Sequence, residues 1–324
     1  MRGLIPAPGD DPSPRVGDRP EPVAARGEVV LAVRATALNR ADLLQLRGLY
    51  PPLAGESEVP GLEAAGEIVA LGEGVAGWRV GDRAAALLAG GGHAERVAVP
   101  AGQLLAIPGD WSCEEAAALP EAAITSWVNL VDEGGLRAGE SVLVAGATSG
   151  VGTFAVPLGK ALGARVLAAG RDRERLAVAR ELGADALLEL GPALPEAARA
   201  ATGGRGVELV LDLVGGVHLA EHLAALAPCG RLVLVGLMAG ATATLDLAAV
   251  LRRRLVIRGS VLRSRSRDEK ARLVAAFLAF AGPLLARREL VPRIDRVFAF
   301  DEIAAAYDYL ARGRPLGKVV VRVG

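Results

Sequence analysis

"SVLVAGATSGVGTFAVPLGKALGARVLAAGRDRER", residues 141–175, decides the reading of the chain. An apolar run, Val142–Val144, leads into Gly146, Ser149, Gly150 and Gly152, and a helical stretch starts near Val151. A second apolar run then ends abruptly in Arg171, Asp172, Arg173 and Arg175. Strand, glycine turn, helix and strand make the repeating unit of a parallel sheet. Glycines at such a turn let the backbone approach a pyrophosphate, and the helix N-terminus adds unpaired N–H groups and a positive dipole end. A literal Gly-x-Gly-x-x-Gly is absent, so the turn by itself also fits a plain strand–helix connection. The strand end carries more information. Sheets that bind NAD place an acid there for the ribose 2′-OH, whereas this chain has Gly170 followed by arginines. A guanidinium fork suits a phosphate, which favours NADPH over NADH. Arg171 and Arg175 stand at i and i+4 and can converge on one 2′-phosphate, with Arg173 turned to solvent; the competing reading is a solvated helix start.

Outward from this stretch, "VELVLDLVG" and "GRLVLVGL" continue the strands, separated by "RERLAVARELG" and "HLAEHLAALA" as helices. The alternation predicts a doubly wound parallel sheet over residues 121–262. Residues 1–120 alternate short apolar runs with glycine turns and no long helices, which predicts a β-rich domain, completed by residues 263–324. The fold class is therefore α/β, a doubly wound parallel sheet plus a β-rich domain. At 324 residues two domains can each bury a core.

Lys+Arg and Asp+Glu balance at 37 each, so nothing draws the chain as a whole to nucleic acid or an anionic membrane. The two cysteines, Cys113 and Cys229, have no paired spacing, which argues against a disulfide framework or a zinc lobe. The first residues lack an apolar signal segment and no run reads as a membrane span, so a cytoplasmic protein is expected. Lysine occurs only at 160, 270 and 318, and asparagine only at 39 and 129, which singles out Asn39. A short-chain dehydrogenase is excluded: that chemistry needs Tyr-x-x-x-Lys, and Tyr50, Tyr307 and Tyr309 are followed at four residues by Ala54, Ala311 and Gly313.

In "GLEAAGEIVALGEGVAGWRVGDR", Gly61, Glu63, Gly66, Gly72, Val75, Gly81 and Asp82 fall on one register. That spacing resembles the signature of the medium-chain dehydrogenase/reductases. Zinc alcohol dehydrogenases carry a histidine ligand where Leu62 stands, and a cysteine in the segment before it, which "ATALNRADLLQLRGLY" lacks. The chain therefore looks like the zinc-free quinone oxidoreductase branch, with no metal. "LNRADLLQLRGLYPP", "AALLAGGGHAERVAVP", "LPEAAITSW", "GLMAG" and "LRSRSRDEK" resemble the p53-inducible quinone reductase subgroup, although Leu190 stands where relatives often carry a tyrosine near the adenosine. The resemblance implies a GroES-like catalytic domain, a Rossmann domain and NADPH held between them. It implies Asn39, Asp42 and Tyr50 as catalytic residues, Tyr50 also touching the cofactor. It implies cofactor contacts from Thr125, from Gly146, Thr148, Ser149, Gly150 and Val151 of the glycine turn, and from Val214, Gly236, Leu237 and Met238. Arg263 would border the same cleft, and members are commonly homodimers.

A quinone or enone that accepts hydride develops charge on oxygen, which wants a neutral donor such as the Asn39 amide or the Tyr50 hydroxyl. Asn39 also reads as a turn cap, Asp42 as a helix-start acid, and Tyr50, before Pro51 and Pro52, as loop packing. The expected activity is NADPH-dependent, zinc-independent quinone reduction. Reduction of α,β-unsaturated carbonyls is the alternative, and a non-catalytic NADPH- or RNA-binding protein is the rival class, since Arg252–Arg254 and Arg263–Arg267 could form a basic strip. The presence of Asn39, Asp42 and Tyr50 argues against that rival. His218 and His222, at i and i+4, lack a third metal ligand, and His93 reads as a loop residue.

Overall fold

The structure, a computed structural model, describes residues 1–5, 13–312 and 315–324. The N-terminal stretch carries β1 (Arg2–Ile5), β2 (Arg15–Asp18), β3 (Glu28–Leu38), α1 (Arg40–Leu46), β4 (Glu63–Leu71), β5 (Arg83–Leu87), β6 (Arg96–Pro100) and β7 (Leu104–Ala106). Helices α2 (Cys113–Ala117) and α3 (Pro120–Trp127) follow. The middle carries β8 (Ser141–Ala145), α4 (Gly150–Ala161), β9 (Arg165–Gly170), α5 (Arg173–Glu181), β10 (Ala186–Glu189) and α6 (Leu194–Ala201). It continues with β11 (Val207–Asp212), α7 (Leu219–Ala225), β12 (Leu226–Leu234), α8 (Leu247–Arg253) and β13 (Val256–Gly259). The chain ends with α9 (Arg267–Ala286), β14 (Ile294–Ala299), α10 (Ile303–Arg312) and β15 (Lys318–Arg322).

The chain divides into two compact units, one of residues 1–124 and 262–324, the other of residues 125–261. The first unit holds a seven-stranded sheet in the order β14-β15-β3-β4-β5-β7, with β6 also on β3. Strand β3 is the hub. Its inward residues Val29, Leu31, Val33 and Leu38 join Ile68, Val97, Val99, Ile303 and Val321 in one apolar core. The register sets Leu38 opposite Val319 and Thr36 opposite Ala64. The carboxyl end of β3 therefore meets the starts of β4 and β15, where Glu63 and Lys318 lie.

The second unit is one parallel sheet in the order β10-β9-β8-β11-β12-β13, with helices between the strands. Counted within the unit this is 3-2-1-4-5-6, a doubly wound order that reverses between its first and fourth strands. Strand β8 is buried along its whole length, as a strand covered on both faces must be. The fold is thus α/β, a parallel doubly wound sheet plus a β-rich unit. Among the described residues no helix is long and apolar enough to cross a membrane.

Candidate functional site

In the second unit, Gly146, Arg171, Val214 and Gly236 stand just past the carboxyl ends of four neighbouring strands, β8, β9, β11 and β12. Ligands of open α/β sheets bind outside that edge. Gly146 has φ +86°, and a Cβ there would come within 3.3 Å of Leu213 and Val214. Ser149 caps α4: its Oγ accepts the Gly152 N–H at 3.0 Å and donates to the Gly146 carbonyl at 2.8 Å. The amides of Gly150 and Val151 then form the free first turn of the helix. Thr148 is partly exposed beside them, and Leu237 and Met238 are half exposed after β12. Thr125 is buried in α3 and its carbonyl accepts the Asn129 amide at 2.7 Å; Ser126 bonds the Val151 carbonyl at 3.3 Å.

Past β9, Asp172 is the N-cap of α5, and its Oδ1 accepts the N–H groups of Glu174 and Arg175. Arg171 is exposed. Arg175 is partly buried, and its Nη2 is enclosed with no hydrogen-bond partner among the described residues. A buried guanidinium nitrogen without an acceptor is a place for an anion. These residues fit a phosphorylated dinucleotide. Asp212 ends β11 fully buried, accepting from Val214 and Gly215 and meeting His222 Nδ1 at 2.9 Å. Burial pushes its carboxyl up, but His222 and those N–H groups outweigh that and hold it below the usual range. His218 meets Glu221 at 2.8 Å instead, so the two histidines serve separate carboxylates.

In the first unit, a buried polar cluster fills the junction of β3, β4 and β15. Glu63 and Lys318 are 0% and 3% exposed, and Nζ lies 2.5 Å from Oε1. Lys318 also donates to the Leu38 carbonyl at 3.1 Å and to Asn39 Oδ1 at 2.6 Å, which uses all three ammonium hydrogens. Glu63 Oε2 accepts the Glu121 N–H at 2.8 Å. Asn39 sits at the N-cap of α1, but its amide nitrogen donates to Glu63 Oε1 at 2.9 Å and, at 3.4 Å, to Ala37. That amide is committed inside the protein. Asp42, fully buried, accepts the N–H of Asn39 at 2.7 Å and of Gly61 at 3.0 Å, as a helix-start acid does.

His93 lies fully buried beside Asp42, with Nε2 at 3.7 Å from Oδ2, and packs edge-on to Tyr307. The Thr36 hydroxyl spends its hydrogen on the Glu63 carbonyl at 2.6 Å, so in its 3.0 Å contact with Thr36 the His93 Nδ1 is the donor. Leu62, where a zinc ligand would stand, is an apolar buried side chain. Catalytic zinc takes three protein ligands and an open position. Among the described residues no group of three or more His, Cys, Asp or Glu could hold a metal. The donor set does not fit zinc.

Tyr50 is half-buried, and its hydroxyl has no hydrogen-bond partner among the described residues. Burial pushes that hydroxyl above the usual tyrosine value, against a smaller downward pull from Arg263, so it stays protonated. Arg263 is not part of an exposed basic strip: it is 3% exposed and bound to three acceptors. Sequence reasoning passed over Lys318, and gave Glu63 a register but no role. The scarcity of lysine was the signal available for Lys318.

Two family models match in turn: the alcohol dehydrogenase GroES-like domain over residues 25–109 and the zinc-binding dehydrogenase over residues 150–279. A zinc-type alcohol dehydrogenase-like protein of Schizosaccharomyces pombe is 33% identical, with 92% of this chain and 91% of that protein covered. Among solved structures, the quinone oxidoreductase of Thermus thermophilus, reported also as its NADPH complex, is 38% identical with a TM-score of 0.83 over the whole of both chains. An NAD-dependent alcohol dehydrogenase is 31% identical, with a TM-score of 0.87 and full coverage of both. With that fold and this likeness along its length, the chain belongs to the medium-chain dehydrogenase/reductase superfamily of oxidoreductases.

Proposed function

We propose that this protein is an NADPH-dependent quinone oxidoreductase that works without zinc. Arg175 carries the reading: its Nη2 is buried and unpartnered among the described residues, in the first turn of α5, which follows the strand end where an NAD-binding sheet needs an acid. Asp172 does not occupy that nitrogen: its Oδ1 caps α5, and no hydrogen bond joins its carboxylate to Arg175 Nη2. Arg171 and Arg175 hold the 2′-phosphate. Gly146, Thr148, Ser149, Gly150 and Val151 hold the pyrophosphate, and Thr125, Val214, Gly236, Leu237 and Met238 line the nicotinamide half. Bound NADPH supplies the hydride. Tyr50, neutral and unpartnered, donates a hydrogen bond to the substrate oxygen that gains charge. Asn39 and Asp42 act one step back, fixing α1 and the chain that leads to Tyr50. The likeness to the Thermus quinone oxidoreductase supports quinones over alcohols, and Leu62 supports zinc independence. The protein works as a homodimer.

The test is to titrate NADPH and NADH into wild type and Arg171→Ala/Arg175→Ala, then to offer simple quinones and enones. Charged hydrogen bonds contribute about 1.5–3 kcal/mol each, so the double variant should bind NADPH roughly 10²- to 10⁴-fold more weakly, with NADH little changed. A wild type that prefers NADH, or a variant that loses both cofactors equally, overturns the cofactor assignment. Enones reduced faster than quinones overturn the substrate assignment.

A further inference from the structure

Tyr50 lies in a bend, outside helix and strand, after the exposed residues Arg47–Leu49 and before Pro51 and Pro52. No regular structure holds it. One buried guanidinium meets both its ring and its carbonyl. Arg263 places its Cζ 5.0 Å from the centre of the Tyr50 ring and donates through Nη1 to the Tyr50 carbonyl at 3.2 Å. Its Nε donates to the Ala89 carbonyl at 2.8 Å and its Nη2 to Gln45 Oε1 at 2.7 Å. Gln45 in turn donates to the Glu58 carbonyl at 2.9 Å. One planar fork thus joins the end of α1, the bend at Tyr50 and the chain beyond β5. A lysine could not reproduce it, since an ammonium offers neither the fixed spread of donors nor a flat face for the ring.

We propose that Arg263 is a positioning residue for the reaction, setting the place from which the Tyr50 hydroxyl meets the substrate oxygen. The proposal rests on the quinone reductase reading above. A donor held out of place loses its catalytic effect even when its chemistry is intact, and a misplacement of about 1 Å can cost on the order of 10²-fold.

The experiment compares Arg263→Gln, Arg263→Lys, Tyr50→Phe and the Arg263→Gln/Tyr50→Phe pair. It reads kcat and KM for a simple quinone at saturating NADPH, the Kd for NADPH, and amide hydrogen exchange over residues 45–50. Arg263→Gln and Arg263→Lys should each lower kcat about 10- to 100-fold, speed exchange over residues 45–50, and leave the NADPH Kd within about twofold. In the Tyr50→Phe background Arg263→Gln should lower kcat no further. Losses that multiply in the double variant overturn the proposal, because Arg263 then acts apart from Tyr50. Unchanged kcat and unchanged exchange in Arg263→Gln overturn it as well. A silent Tyr50→Phe in wild type sinks the donor role of Tyr50 instead, and removes any reaction for Arg263 to serve. Should the Arg263 variants fail to fold, Gln45→Met removes one acceptor from the edge of the fork; it should lower kcat in the same sense, and no further with Tyr50→Phe, while losses that multiply there overturn the proposal.

Discussion

Lys318 and Glu63 bury opposite charges 2.5 Å apart, and every hydrogen of the ammonium has an acceptor. Such a pair need not exceed two well-packed apolar side chains in stability, but removal of one partner strands the other without water. Lys318→Met leaves the Glu63 carboxylate with only backbone and amide donors. It should cost about 3–5 kcal/mol in urea denaturation; a loss below about 1 kcal/mol would mean the carboxylate is satisfied without the lysine. The chain has three lysines, and none is a free surface charge: Lys160 pairs with Asp185 at 2.9 Å, and Lys270 and Lys318 are buried. Burial pushes the Lys270 ammonium below the usual lysine value, against the pull of Glu56 and Glu121. In an arginine-rich sequence the rare lysine was therefore the legible sign of a committed side chain. The same reasoning marked Asn39 correctly as unusual, but not its use, because the acceptor of its amide comes from another strand.

Helix α4 shows what a glycine does at the level of an element. A Cβ on Gly152 would collide with the Gly146 carbonyl oxygen and stand 2.7 Å from the Ala147 Cα, both backbone atoms that cannot step aside. Gly152→Ala must therefore push the start of α4 off the turn that the cofactor phosphates would use. NADPH affinity should fall about tenfold or more, with stability lowered by about 1–3 kcal/mol. Gly282, inside α9, has open space where its Cβ would go. Gly282→Ala should gain about 0.5–1 kcal/mol of helix propensity, offset by the contact of its new Cβ with the ring of Pro283, which follows it in the helix, and leave cofactor binding alone. Titration and urea denaturation of both variants separate the two cases; equal cofactor affinity in both would mean the turn tolerates a shifted helix. The element itself was readable in advance, since the apolar periods of β8, α4 and β9 and the glycines between them are local features.

At the scale of the whole molecule, β13 closes one edge of the parallel sheet with all four residues exposed, among them Val256 and Ile257 at 43% and 38%. Leu247 and Leu251 on the preceding α8 are 70% and 77% exposed. An open strand edge with apolar neighbours invites pairing with another strand. The expected partner is a second copy of the chain, and Ile257→Lys should convert a dimer to a monomer by light scattering; a monomeric wild type would end that expectation. The sequence by itself determined the two-part organisation of strands and helices, the glycine turn and the arginines beside it. Those depend on residues near one another in the chain, where periodicity and turn chemistry act. Only the tertiary structure decided which buried polar groups meet. Lys318 reaches Asn39 across 279 residues and Arg263 reaches Gln45 across 218. A buried charge must find its partner wherever the sheet order brings one, and that order leaves no periodic trace along a single chain.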